Sequence, residues 1–198
     1  MDNKAMYRLS YGLFVLTAKG AKDNGCIINT AMQITTNPNR MIITVNKENL
    51  THDIVKFTGE FNVSVLSVSS SLDIYKHFGY QSGKTTDKFA EYSDCTRAEN
   101  GIYYITKGTN AYISGKVTDM TDCGTHTMFI ADVTDAVILN DEESVTYDYY
   151  QKHIKEQDTA KKSGWRCKIC GYVYEGEELP PDFICPICKH GAADFERI

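Results

Sequence analysis

Residues 165–198 read WRCKICGYVYEGEELPPDFICPICKHGAADFERI, and this stretch divides the chain into two modules of different kinds. It holds four of the seven cysteines, Cys167, Cys170, Cys185 and Cys188, as two Cys-x-x-Cys pairs with fourteen residues between them. A Cys-x-x-Cys loop turns back on itself, so both thiolates can face one ion, and two such loops make a tetrahedral four-sulfur site. That donor set suits zinc or iron and repels hard ions such as magnesium or calcium. A disulfide framework or four unrelated core thiols are the alternatives, and the tandem spacing argues against both. A module of 34 residues is too short to bury a sufficient core alone, so a metal is expected to staple it.

The surroundings of the cysteines bear on which metal is held. Trp165, Tyr172, Tyr174, Phe183 and Phe195 are many aromatics for so short a piece, and Gly171 and Pro186 each follow a ligand. Tight turns there bring backbone N–H groups toward sulfur, and such hydrogen bonds inside an apolar shell tune an iron centre. A structural zinc ribbon needs no such shell, and its spacing is usually slightly longer; zinc stays open at this point. The run CGYVY, then Pro181-Asp182-Phe183, then Cys185-Pro186-x-Cys188, resembles rubredoxin. Its gap between pairs is nearer the abbreviated domain at the end of rubrerythrins than the free-standing rubredoxins. The resemblance implies one iron on four cysteines.

Composition bounds the remainder. A chain of 198 residues has room for one full domain beside this module, and 42% hydrophobic content supports a proper core. The formal net charge is −5 and no basic run exceeds Lys161-Lys162, so a nucleic-acid partner is not expected. No apolar stretch approaches 18 residues and no signal-like region follows Met1, which leads us to expect a cytoplasmic protein without a membrane partner. Cys26, Cys95 and Cys123 stand singly and read as packing residues.

Before the metal module, short apolar runs have β character: Gly12 to Thr17, Arg40 to Val45, Ala111 to Val117, Thr127 to Val133 and Asp135 to Leu139. Phe61, Val63 and Val65 alternate with Asn62 and Ser64, a period of two. Helical segments are expected over Leu50 to Thr58, Ser71 to Phe78 and Thr86 to Tyr92, and Tyr147 to Lys155 also looks helical. Strands outnumber helices without regular alternation, which argues for a mainly β fold, an antiparallel barrel with helical excursions. Residues 156–164 have linker composition, giving expected domains of 1–155 and 165–198. A dinucleotide fingerprint is absent. Gly79-Tyr-Gln-Ser-Gly83-Lys84-Thr85 carries three residues between its glycines where a P-loop has four, so a nucleoside triphosphatase is rejected.

Four blocks in order resemble the flavin reductase-like family, whose fold is an FMN-binding split β-barrel. They are YGLFVLT from Tyr11, NGCIINTAMQ from Asn24, ITVNKENLT from Ile43 and GTHTMFIA from Gly124. With the metal module, the whole chain resembles the high-molecular-weight rubredoxins of anaerobic microbes. The resemblance implies that Asn29, Thr30, Ala31 and Gln33 line the isoalloxazine ring and ribityl chain. It likewise implies that Asn46, Lys47 and Thr51 take the flavin phosphate, with Ser82, Gly83 and Lys84 completing that pocket. His126 matches the family histidine near the nicotinamide, but Thr125 stands where many relatives have aspartate, which puts its role in question.

Flavins join two-electron donors to one-electron acceptors. The implied function is electron transfer from NAD(P)H through FMN to the iron and on to a partner such as a flavodiiron oxygen or nitric oxide reductase. The family implies a homodimer. Two alternatives stay open: a non-enzymatic carrier reduced by another protein, and a flavin or ferric reductase with a structural zinc ribbon.

Overall fold

The computed structural model describes residues 3–155, 164–188 and 190–198. They form two compact units that divide after Tyr150, and the expected linker lies almost wholly outside the described residues.

The first unit is built on strands β1 (Phe14–Lys19), β2 (Asp23–Ile28), β3 (Ala31–Thr36), β4 (Asn39–Asn46), β5 (Glu60–Leu66), β8 (Thr109–Asp122) and β9 (His126–Ile138). A small hairpin of β6 (Cys95–Arg97) and β7 (Tyr103–Ile105) lies between β5 and β8 in sequence. The seven strands make one antiparallel sheet in the order β2-β1-β5-β8-β9-β4-β3. Inward residues of β1, β2, β4, β5 and β9 (Leu16, Ile28, Ile43, Phe61 and Phe129 among them) share one core, so the sheet curls around it. This is the expected split barrel. β4 shows the period of two plainly, with Met41, Ile43 and Val45 buried and their neighbours half exposed.

In β5 the alternation is sound but its second face is not solvated. Asn62 donates to the Ile102 carbonyl (3.0 Å) and Ser64 accepts the Ile105 N–H (2.9 Å), so the segment around β7 covers the polar side. Helix α1 (Leu50–Thr58) falls where expected, and α2 (Leu72–Gly79) is displaced by one residue from expectation.

The expected helix over Thr86 to Tyr92 is not formed; the segment is a run of turns. Lys88 is only 2% exposed, and its ammonium donates to the carbonyls of Gly25 (2.8 Å) and Phe78 (2.9 Å). Asp87 turns back to accept the Phe89 N–H (3.1 Å). Satisfying a buried cation with two carbonyls outweighs local helix preference. At the far end, Tyr147–Tyr149 forms one α-helical turn (α3) capped by the Thr146 hydroxyl, and Tyr150–Lys155 continues as π-helix.

The second unit holds β10 (Trp165–Cys167), β11 (Val173–Tyr174) and β12 (Phe195–Arg197) as a three-stranded antiparallel sheet. Its core is Cys167, Cys185 and Phe195 with Trp165, Tyr172, Tyr174, Leu179 and Phe183 packed against them. Phe183 stands edge-on to Phe195 at 5.4 Å. No helix among the described residues is long and apolar enough to cross a membrane.

Candidate functional site

In the second unit the two Cys-x-x-Cys loops are near copies of one another. Cys167 N–H donates to the Tyr172 carbonyl and Cys185 N–H to the His190 carbonyl, both at 2.8 Å, closing each loop around its cysteines. Gly171 has φ +71°, the left-handed conformation that lets the chain reverse directly after Cys170. Each loop supplies one buried sulfur, Cys167 or Cys185, and one partly exposed, Cys170 or Cys188. Sγ separations are 3.6 Å for Cys167–Cys188 and 3.4 Å for Cys170–Cys185, and all four atoms lie within 4.8 Å of one another. Sulfurs about 2.3 Å from a tetrahedral ion stand about 3.8 Å apart, so the cage fits such an ion.

Backbone N–H groups of Cys170 and Ile169 point at the Cys167 sulfur, that of Tyr172 at Cys170, and that of His190 at Cys188. Burial pushes the Cys170 and Cys188 thiols up, so four thiolates together need a cation at their centre. The short knuckles, the N–H groups and the aromatic shell fit iron of the rubredoxin type.

The first unit carries the expected flavin residues in three places. Asn29, Asn46 and His126 line one cavity of about 220 Å³ with Ile28, Asn49 and Tyr147. Register explains the meeting, because Asn46 pairs directly with His126 across β4 and β9. Thr30 contributes locally, its hydroxyl donating to the Asn29 side chain (3.1 Å). The His126 Nδ1 is 2.9 Å from the Thr125 hydroxyl, so threonine supplies a polar partner where aspartate was expected.

The second group surrounds the start of α1. Thr51 is fully buried and accepts a hydrogen bond from Asn24 Nδ2 (3.2 Å). A Cβ at Gly83 would sit 2.3 Å from that nitrogen, so the Ser82-Gly83-Lys84 turn presses on Asn24 as only glycine can. Asn24 thus joins the two expected phosphate segments, a role no local pattern announces. Lys47 is differently engaged: its ammonium is 2.7 Å from both carboxylate oxygens of Asp122, which also accepts the Gly124 N–H (2.8 Å). First the Lys47 ammonium and then the Gly124 N–H hold the Asp122 carboxyl below its ordinary value. A depressed carboxyl stabilises the fold above its ordinary value of 3.8, so this latch stays closed near neutrality and opens only as acid titrates it.

Ala31 and Gln33 form the third place. They open on a separate, apolar cavity of about 290 Å³ with Phe14, Met32, Met41 and Val133. Gln33 donates to Asn39 (2.8 Å). Of the lone cysteines, Cys26 is buried as expected, Cys95 is half-buried and Cys123 is exposed.

Residues 6–157 match the family described as flavin reductase like domain, and residues 165–196 match the rubrerythrin, rubredoxin-like domain. A high molecular weight rubredoxin of Moorella thermoacetica is 36% identical over the full length of both chains. A ferric-chelate reductase (NAD(P)H) of Archaeoglobus fulgidus is 37% identical over 76% of this chain and 89% of its own. Among solved structures, the NADH:FAD oxidoreductase SgcE6 of Streptomyces globisporus superposes with a TM-score of 0.66 at 22% identity, covering 72% of this chain and 84% of that one. The chain therefore belongs to the flavin reductase-like domain family and is an oxidoreductase that joins this fold to a rubredoxin-like, four-cysteine domain.

Proposed function

We propose that the chain takes electrons from NAD(P)H onto FMN, passes them to a single iron held by Cys167, Cys170, Cys185 and Cys188, and delivers them to a partner of the flavodiiron type. The observation that carries this reading is a closed four-thiolate cage on the same chain as a flavin reductase-like barrel. When bound, the flavin accepts two electrons together and releases them singly, which matches a nicotinamide donor to a one-electron iron centre.

The residues divide this work. The N–H groups at the start of α1 and the Ser82-Gly83-Lys84 turn would hold the phosphate, and the buried Thr51 hydroxyl acts through Asn24, which joins those two segments. Asn29 offers its amide to the ring's polar edge, and Asn46, expected at the phosphate, shares that cavity with it and takes the same role instead. His126 lies in that cavity, and the Thr125 hydroxyl on Nδ1 orients its ring toward the nicotinamide. Lys47 acts through Asp122, tying the β8–β9 turn to the end of β4.

Beside the metal, Ile169 and Ile187 occupy the same position in the two loops and are 44% and 38% exposed, an apolar rim through which a partner can approach. β3 is an edge strand with Met32 58% and Ile34 43% exposed, which supports a homodimer that covers it. A ferric-chelate reductase activity of the barrel alone is the second reading, favoured by the likeness to the Archaeoglobus fulgidus protein.

The deciding measurement is the anaerobic visible spectrum before and after NADH or NADPH. We expect flavin bleaching followed by loss of the ferric–thiolate bands. No bleaching with either nucleotide would leave a carrier reduced by another protein, and a colourless metal would mean structural zinc.

The phosphate assignment has its own test. Thr51→Val and Gly83→Val should each weaken FMN binding by about tenfold or more, since each disturbs Asn24, the side chain that joins the two phosphate segments. Lys47→Ala should cost less than either. Flavin fluorescence titration reads all three, with iron content as the internal control.

A further inference from the structure

Residues 151–155 cluster with the second unit, and they bring a lysine to the metal cage. Gly171 follows the ligand Cys170, and a Cβ built on it would meet Lys155 Cε at 2.9 Å and Nζ at 3.0 Å. The ammonium therefore lies against the knuckle backbone, where a side chain at 171 would begin. Lys155 is partly buried there, distant in sequence from every cysteine. The neighbouring Lys168 is placed otherwise: it is exposed and its ammonium donates to the Ala193 carbonyl (3.2 Å).

We propose that Lys155 is a positioning residue for the iron centre, a fixed positive charge against the Cys170 knuckle that sets the centre's reduction potential upward. The inference rests on iron filling the four-cysteine cage, and it adds a residue that the ligand motif does not contain.

The physical reason is the charge of the site. Four thiolates and a ferric ion sum to −1, and one electron makes the sum −2, with no bond formed or broken. A nearby cation favours the more negative state, the more so where water is partly excluded. The electrostatics of the lysine agree with its placement: burial pulls the ammonium down, and the four cysteines push it back up, Cys170 first.

The test is a redox titration of the full chain, read at the ferric–thiolate band, for the wild type and for Lys155→Arg, Lys155→Met and Lys155→Glu. Iron content and the oxidised spectrum are read first. Lys155→Met should lower the reduced-to-oxidised ratio at a given potential by about tenfold, or about 59 mV for one electron. Lys155→Glu should lower it further, and Lys155→Arg should stay near the wild type. A merely structural lysine would alter iron retention or melting without ordering the potentials by charge.

Equal potentials in iron-loaded Lys155→Met, Lys155→Glu and wild type would overturn the proposal. If Lys155→Met loses iron, Lys155→Gln, of similar length and still polar, is measured in its place. If every neutral variant loses iron while Lys155→Arg keeps it, the charge serves retention, and the potential assignment is overturned. A colourless wild type would instead defeat the iron assignment itself, a distinct result.

Discussion

Replacing Cys170 by serine should empty the metal site completely and melt residues 165–198, while the barrel keeps its flavin. The magnitude follows from the size of the module. Its core amounts to Phe195, two ligand cysteines and a handful of half-buried aromatics, which falls well short of a self-sufficient interior. Structural zinc contributes roughly 10–16 kcal/mol in zinc-finger peptides of similar size, and a metal held by four cysteines here likewise makes binding and folding one event. Cys170 is one of the two partly exposed ligands, so the variant removes a sulfur without opening a cavity in the core. Iron analysis, the visible spectrum and amide protection of residues 164–198 read the outcome together. A serine variant that kept a native spectrum would exclude the four-thiolate assignment.

Ending the chain at residue 156 should produce the second large effect, on delivery rather than on reduction. The barrel, with its core and cavities complete in the first unit, should still oxidise NAD(P)H with a small artificial acceptor. Transfer to the protein partner should slow by roughly 10² or more, the order of advantage that tethering gives. Glu175, Glu177, Glu178 and Asp182 are all exposed on the metal module, which favours a basic face on that partner. Transfer by the full chain should therefore fall as salt rises. Equal rates from the two chains would take the module out of the pathway, and a flat salt response would remove the acidic docking face.

The metal centre was legible because its information is local. Spacing within each loop places the sulfurs, and Gly171 with the aromatics describes the shell. The strand pattern was legible wherever one face is buried, as in β4. What escaped reading depends on register or on burial of unexpected residues. β2 begins Asp23-Asn24-Gly25, which looks like a turn, yet Asn24 and Gly25 are buried against Thr51 and Phe78. Asp122 gave no sign of its pairing with Lys47, because the register of β4 on β9, together with the β8–β9 turn, brings residues 75 apart together. Lys88 goes inside, which leaves turns where a helix is expected over Thr86 to Tyr92. Lys155 lay in a helical-looking segment, and nothing there pointed to cysteines beyond the linker.

The order of strands in the sheet also sets a timetable for synthesis. β4, made early, has β9 as a long-range neighbour, with Arg40 opposite Asp132 across 92 positions of chain. β5 likewise waits for β8. A ribosome must therefore release residues to about 138 before the curl can close, and until then β4 exposes Met41, Ile43 and Val45 without a cover. Closure at such sequence separations is slow, of order milliseconds to seconds, and unpaired apolar strands are the species that chaperones meet. The 34 residues from 165 onward emerge after that step and need only metal to finish. In a cell short of iron the barrel would be complete while the last module waits, so the proportion of finished chains should follow iron supply.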